Sequence, residues 1–199
     1  LYAYGDLWLD ENGYIYINPN DPKLMVTDER IKLGSVLPDY NAGFRNDFSY
    51  KGINLSLLFS ARFGGIVVSP TQGFLDGLGV SKASADARDA GGVPINNGRI
   101  DAQHYYETVG LGQLLSHYTY SATNVRLQET SIGYTFPKKW MGDRVKLTAS
   151  LVGRNLWMIY CKAPFDPELT ASTGSYLQGI DYFMQPSLRS LGFNVQLKF

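Results

Sequence analysis

From Leu191 to the terminal Phe199 the chain alternates without exception: Leu191, Phe193, Val195, Leu197 and Phe199 stand against Gly192, Asn194, Gln196 and Lys198. Successive side chains of a strand point to opposite faces, so this period of two specifies a strand with one apolar and one polar face. The same pattern sets Ile53, Leu55, Leu57, Phe59, Ala61 and Phe63 against Asn54, Ser56, Ser60 and Arg62, with Leu58 as the one exception. Just before it, Tyr40, Ala42, Phe44, Phe48 and Tyr50 alternate with Asn41, Gly43, Arg45, Asp47 and Ser49. Only Lys51-Gly52 separates the two runs, which predicts a tight hairpin. A further strand is expected over 144–154, where Val145, Leu147, Ala149 and Leu151 alternate with Lys146, Thr148 and Ser150. Residues 124–136 are also extended but change phase: Val125 and Leu127 lie on one parity, Ile132, Tyr134 and Phe136 on the other. That shift predicts a bulge, or a strand leaving the membrane at that point.

Charge follows the same parity. Arg45, Asp47, Arg62, Lys146, Arg154 and Lys198 all occupy the polar positions, and the apolar positions are nearly free of charge. Soluble sandwiches and lipocalin-like barrels also alternate, and one strand alone would favour them. A transmembrane barrel, however, must segregate charge in this way, because its outer face meets lipid and its inner face meets water. Tyr40, Tyr50, Phe63, Tyr134, Phe136, Trp140 and Phe199 at strand ends suit the two interfacial girdles of such a barrel, and core packing is their alternative role.

The links point the same way. Lys51-Gly52 and 137–143 are short, whereas 64–122 and 155–187 are long and rich in Gly, Pro and Tyr. Long structureless connections are uncommon in compact soluble domains, but barrels have short periplasmic turns and long external loops. With Phe199 at the periplasmic end, both short links fall on that side and both long ones outside. Fourteen Tyr, 10 Phe, 3 Trp and 21 Gly also suit strands and turns better than helices. No run of 18 apolar residues exists for a transmembrane helix, but barrel strands need only about 9–11 residues. Eighteen basic and 18 acidic residues cancel without like-charged runs, so charge singles out neither a nucleic acid nor an anionic membrane surface as a partner, and no nucleic acid is expected. The lone Cys161 excludes an internal disulfide. The chain opens at Leu1 with no initiating Met, basic n-region or apolar h-region, and is expected to be a piece of a longer protein. An odd set of five strands with unpaired edges requires barrel strands from elsewhere.

Residues 1–38 hold a small hairpin, Leu7–Leu9 and Tyr14–Ile17 around Asp10-Glu11-Asn12-Gly13, and short helices are expected near 83–90 and 101–109. His104 and His117 lack metal-ligand spacing and are expected in loops. Asp166, Glu168 and Asp181 share one long connection but match no calcium loop, so no metal is assigned. Arg126 and Glu129 are spaced across opposite strand faces, as a structural rather than a gating pair. Nucleophile-elbow, phosphate-loop and Cys-His signatures are absent, so the chain is not expected to be an enzyme and no cofactor is assigned.

Several segments in order resemble the SusC/RagA-type TonB-dependent transporters. They are Gly43-Phe44-Arg45-Asn46 with Tyr50-Lys51, Arg62-Phe63-Gly64-Gly65, Arg88-Asp89 before Gly91-Gly92-Val93, and Tyr105-Tyr106. The block Ala122-Thr123-Asn124-Val125-Arg126-Leu127-Gln128-Glu129-Thr130-Ser131-Ile132-Gly133-Tyr134-Thr135-Phe136-Pro137 follows, then Gly153-Arg154-Asn155-Leu156-Trp157, Asp166-Pro167-Glu168 and the terminal strand. The resemblance implies an all-β fold: the C-terminal strands of an antiparallel, 22-stranded transmembrane β-barrel in the outer membrane, roughly its final quarter. Residues 1–199 would be one barrel portion, with 1–38, 64–122 and 155–187 as extracellular loops. It also implies a plug and a TonB-contacting segment outside this chain, a SusD-like lipoprotein partner, and import of oligosaccharides or peptides. In such a transporter, ligands stack on aromatic rings, and Tyr105, Tyr106, Trp157, Tyr160, Tyr182 and Phe183 are the substrate-binding candidates; loop packing or contact with the lipoprotein is their other reading. A soluble secreted β-sandwich that binds carbohydrate is the alternative, and a porin-like barrel without energy coupling is a third.

Overall fold

The computed structural model describes residues 1–18, 20–141, 145–168 and 177–198. Phe199 and parts of the 137–143 and 155–187 links, on which sequence expectations also fall, lie outside the described residues. In chain order the strands begin with β1 (Tyr2–Tyr4), β2 (Ile17–Asn18), β3 (Asp21–Leu24), β4 (Arg30–Lys32), β5 (Tyr40–Tyr50), β6 (Ile53–Phe63) and β7 (Ile66–Val68). Helices α1 (Pro70–Gly77) and α2 (Lys82–Asp89) precede β8 (Val93–Ile95), β9 (Gly98–Ile100) and α3 (Ala102–Tyr106). The chain ends with β10 (Thr119–Ser121), β11 (Asn124–Thr135), β12 (Lys146–Cys161) and β13 (Ser190–Lys198). None of the described helices is long and apolar enough to cross a membrane. The chain divides into two compact units, Leu1–Leu37, Gly65–Ser121 and Glu168–Met184 in one, Pro38–Gly64, Ala122–Pro167 and Gln185–Phe199 in the other.

The second unit is built on a five-stranded antiparallel sheet in the order β13-β12-β11-β6-β5, a meander of the long strands. The predicted hairpin joins β5 to β6. Its turn residues both have positive φ, 47° at Lys51 and 91° at Gly52, as a type I′ turn requires. The phase change in β11 is a bulge: Leu127 pairs with Phe59 and Glu129 with Leu58, leaving Gln128 as the extra residue. Against β12 the register shifts at the same place and again between Val125 and Arg126. Asn155 in β12 takes φ 51°, a conformation asparagine tolerates better than most residues. These irregularities let β12 continue to Cys161, so the link expected to begin at 155 begins beyond the strand instead.

The first unit has small paired strands (β1 with β4, β2 with β3, β7 with β10, β8 with β9) around a core of Leu7, Leu24, Val109, Leu114 and Tyr118. The expected hairpin near Asp10 is present: Leu9 bridges Ile15, and the Asp10 carboxylate accepts from the Asn12 and Tyr14 amides. Each helix starts at a side-chain cap, Ser69 for α1, Ser81 for α2 and Asp101 for α3. Helices α2 and α3 fall where they were expected, α3 running into a π-helical turn over Glu107–Leu111. Helix α1 was not foreseen.

Candidate functional site

Cross-strand register sorts the large sheet into rows, because directly paired residues share a face. One row reads Phe48, Leu55, Ile132, Leu151 and Phe193 across all five strands. A second is Tyr50, Ile53, Tyr134, Ala149 and Val195, and a third Phe44, Phe59, Leu127 and Trp157. Between these lie polar rows: Ser49, Asn54, Gly133, Ser150 and Asn194, and beyond them Arg45, Leu58, Glu129, Arg154 and Ser190. The apolar rows remain uncovered, with Leu151 65% and Phe193 81% exposed.

The polar face carries the charges and pairs several of them. Arg45 bonds Asp47 at 3.1 Å, and Arg154 bonds Glu129, its direct cross-strand partner, at 2.9 Å. Arg126 is held differently: its guanidinium donates to both Asp166 oxygens, at 2.7 and 3.3 Å, and to Asn124 Oδ1 at 3.3 Å. Ser187 also donates to Asp166. Arg126 and Glu129 pair with Ser60 and Leu58, two apart on β6, and so share a face. The expectation of opposite faces fails because the Gln128 bulge adds one residue between them.

The aromatic candidates separate by position. Trp157 and Tyr160 are strand residues of β12, Trp157 in the row of Phe44 and Phe59, Tyr160 paired with Val125 in the row of Ala42 and Ala61. Register thus puts both on the apolar face, opposite the charged one. In the first unit, Tyr105 packs against the core and meets Tyr106 edge-on at 5.0 Å. Burial pushes the Tyr105 phenol up to about 12 and raises Tyr106 as well. Tyr106 lines a half-open cavity of about 370 Å³ with Asp76, Arg88, Gln103 and Glu107.

Tyr182 and Phe183 are exposed and stand edge-to-face at 5.2 Å, with Phe74 of α1 at 6.4 and 5.5 Å. Phe183 has φ 54°, a conformation rarely adopted by bulky residues. Its amide donates to Thr71 Oγ1 at 2.6 Å, while buried Asp181 accepts from Ser69 Oγ at 2.6 Å and its amide donates to the Val68 carbonyl. Phe74 was absent from the sequence-based candidates; the Ser69-Pro70 start of α1 is the signal that would have located it. His104 lies on α3 and not in a loop, and His117 Nε2 sits 3.0 Å from Asp6. Among the described residues no group of His, Cys, Asp or Glu is arranged to hold a metal ion.

No family model matches the chain. Over 98% of its length it is 28% identical to TonB-dependent receptor P3 of Formosa agariphila, and 24% identical to receptor P39 of the same organism. Receptor P26 is 29% identical over 92% of the chain. The chain resembles TonB-dependent receptors. It spans 19% of the length of each of these relatives. Among solved structures, the RagAB peptide importer matches the whole chain in its closed-closed state, with a TM-score of 0.66, 17% identity and 23% of that chain covered. The open-open state gives 0.64, 20% and 22%. These structural matches show the fold; the receptor relatives point to the outer membrane as its location.

Proposed function

We propose that the chain is the C-terminal barrel part of a TonB-dependent importer of oligosaccharides or peptides, working with a SusD-like surface lipoprotein. The plug and the remaining strands of a 22-stranded barrel belong to the rest of the protein. The alternation of apolar and polar rows across five strands carries this reading. Tyr40 and Tyr50 lie at opposite ends of β5, ten steps apart. At about 3.4 Å per residue and a tilt of about 40°, that spans about 26 Å along the membrane normal, close to the apolar band of an outer-membrane barrel. Tyr40, Phe63, Trp157 and Tyr160 then form one girdle, and Tyr50, Tyr134, Phe136 and Trp140 the other. A soluble sandwich would cover the apolar rows instead of leaving them open.

In this reading the long connections are external loops, and the charged rows of the sheet line the water-filled side. Energy enters through the plug, so this part does conformational work and no chemistry. Of the six aromatic candidates, Tyr182 and Phe183 are the substrate contacts best supported. Their rings are exposed, and the Ser69–Asp181 and Thr71 hydrogen bonds hold the left-handed backbone that presents Phe183. Tyr105 and Tyr106 are a second contact region, through the cavity beside Tyr106.

The deciding experiment is a spin-label scan along β13 and β12 in the full-length protein reconstituted into bilayers. Labels at Leu151, Phe193 and Val195 are expected to be accessible to oxygen in lipid, and labels at Ser150 and Asn194 to a water-soluble nickel reagent. Uniform aqueous access on both faces would reject the barrel. Copurification of a surface lipoprotein, and uptake by cells of labelled oligosaccharides or peptides, test the partner and the substrate separately.

A further inference from the structure

The short-link end of the large sheet is strongly basic. Lys51 occupies the β5–β6 turn, Lys138 and Lys139 a 3-10 turn after β11, and Lys146 and Lys198 the ends of β12 and β13. The two turns adjoin, since the Thr135 amide donates to the Gly52 carbonyl at 2.7 Å. All five lysines are exposed, and the described residues of this end, 49–54, 133–141, 145–149 and 194–198, include no Asp or Glu, while Asp143 and Arg144 of the same link lie outside the described residues. Lys146 and Lys198 are direct cross-strand partners, an arrangement of like charges that disfavours the sheet unless an anion screens it. Nothing in the pairing of charges on the sheet's polar face continues here: among the described residues none of the five joins an ion pair.

These cations sit beside an outward aromatic group. Tyr134 meets Phe136 at 5.1 Å and Phe136 meets Trp140 at 6.1 Å, with Trp140 72% exposed. The Lys51 ammonium lies 5.3 Å from the centre of the Tyr50 ring. Aromatic rings of this kind rest at headgroup depth, and lysines next to them reach the phosphate plane. We propose that this end of the barrel binds anionic phospholipid headgroups of the inner leaflet, with Lys51, Lys138 and Lys139 contacting phosphate and Lys146 and Lys198 adding to the field. The proposal rests on the barrel reading above, because it requires the short links to lie at the membrane surface. The occupant follows from complementarity: unpaired cations beside a ring cluster fit a ligand with an anionic head and an apolar tail.

The test uses the full-length protein in nanodiscs of equal phosphatidylglycerol and phosphatidylethanolamine, released gently for native mass spectrometry. Retained phosphatidylglycerol is expected to exceed phosphatidylethanolamine several-fold. The triple variant Lys51→Gln, Lys138→Gln, Lys139→Gln should lose that excess, since each lysine near an anionic surface contributes roughly fivefold. Lys82→Gln, which removes one charge from exposed α2, should leave it unchanged. Equal retention of the two lipids by the unaltered protein, or an excess that survives the triple variant, would overturn the proposal. Failure to enter nanodiscs at all would instead count against the barrel. Heat-modifiable migration on gels reports folding, and if the triple variant does not fold, Lys138→Gln and Lys139→Gln singly give the same readout.

Discussion

Arg126 and Asp166, forty residues apart, form a two-pronged ion pair at 2.7 and 3.3 Å with side chains only 5% and 8% exposed. It ties the segment after β12 to the wall formed by β11. Two charges withdrawn from water stabilise little as a pair, yet either one left alone is costly. Arg126→Ala or Asp166→Ala should therefore lower stability by about 3–5 kcal/mol. The double variant should cost less than the two single losses combined, because neither charge is stranded. Denaturant unfolding of the full-length protein, followed by heat-modifiable migration, measures both.

Trp157 and Phe183 entered as equivalent ligand candidates, and their surroundings give opposite predictions. Trp157 shares its row with Phe44, Phe59 and Leu127. Trp157→Ala should reduce thermal stability in bilayers and leave uptake within about twofold of the unaltered protein. Phe183 is exposed and held by the Thr71 bond, so Phe183→Ala should reduce uptake several-fold with little change in melting temperature. Uptake lost with Trp157 and kept without Phe183 would reverse the assignment.

Strands were legible in the sequence because their signal is local: the apolar positions of β5, β6 and β13 recur every second residue, interrupted by Asn46 in β5 and joined by Leu58 in β6. The phase change in β11 showed through for the same reason. The reach of β12 to Cys161 did not, since two register shifts break the alternation between Arg154 and Tyr160. Helix α1 was hidden by Gly73 and Gly77, which weaken both helix propensity and the apolar stripe. The Arg126–Asp166 and Ser69–Asp181 contacts join residues 40 and 112 apart, and no local pattern encodes such pairings. The faces of Trp157 and Tyr160 depended on register through the bulges, which periodicity alone does not supply.

The Lys51-Gly52 turn makes a sharp stability prediction. Gly52 has φ 91°, and a Cβ there would lie 2.9 Å from the Thr135 carbonyl oxygen and 3.0 Å from the Tyr134 ring. Gly52→Ala should thus cost about 1–3 kcal/mol through strain and the displaced neighbour. Lys51→Asn gives the residue pair favoured in type I′ turns and should be neutral or stabilising by a few tenths of a kcal/mol. Equilibrium unfolding in urea separates the two substitutions.

Alkaline pH should loosen the first unit before the sheet. Burial raises the phenol of Tyr105 to about 12, and raises those of Tyr106, Tyr118 and Tyr120. An unfolded tyrosine ionises near 10, so above that pH the folded form holds protons that the unfolded form has lost. Stability from these groups is complete below about pH 10 and falls as pH rises toward 12. Absorbance at 295 nm should show late-ionising tyrosines, one fewer in Tyr105→Phe, and the fall in melting temperature between pH 10 and 12 should be shallower in that variant. If Tyr105→Phe changes neither the late absorbance nor the slope, the phenol is solvated and Tyr105 does not pack as described.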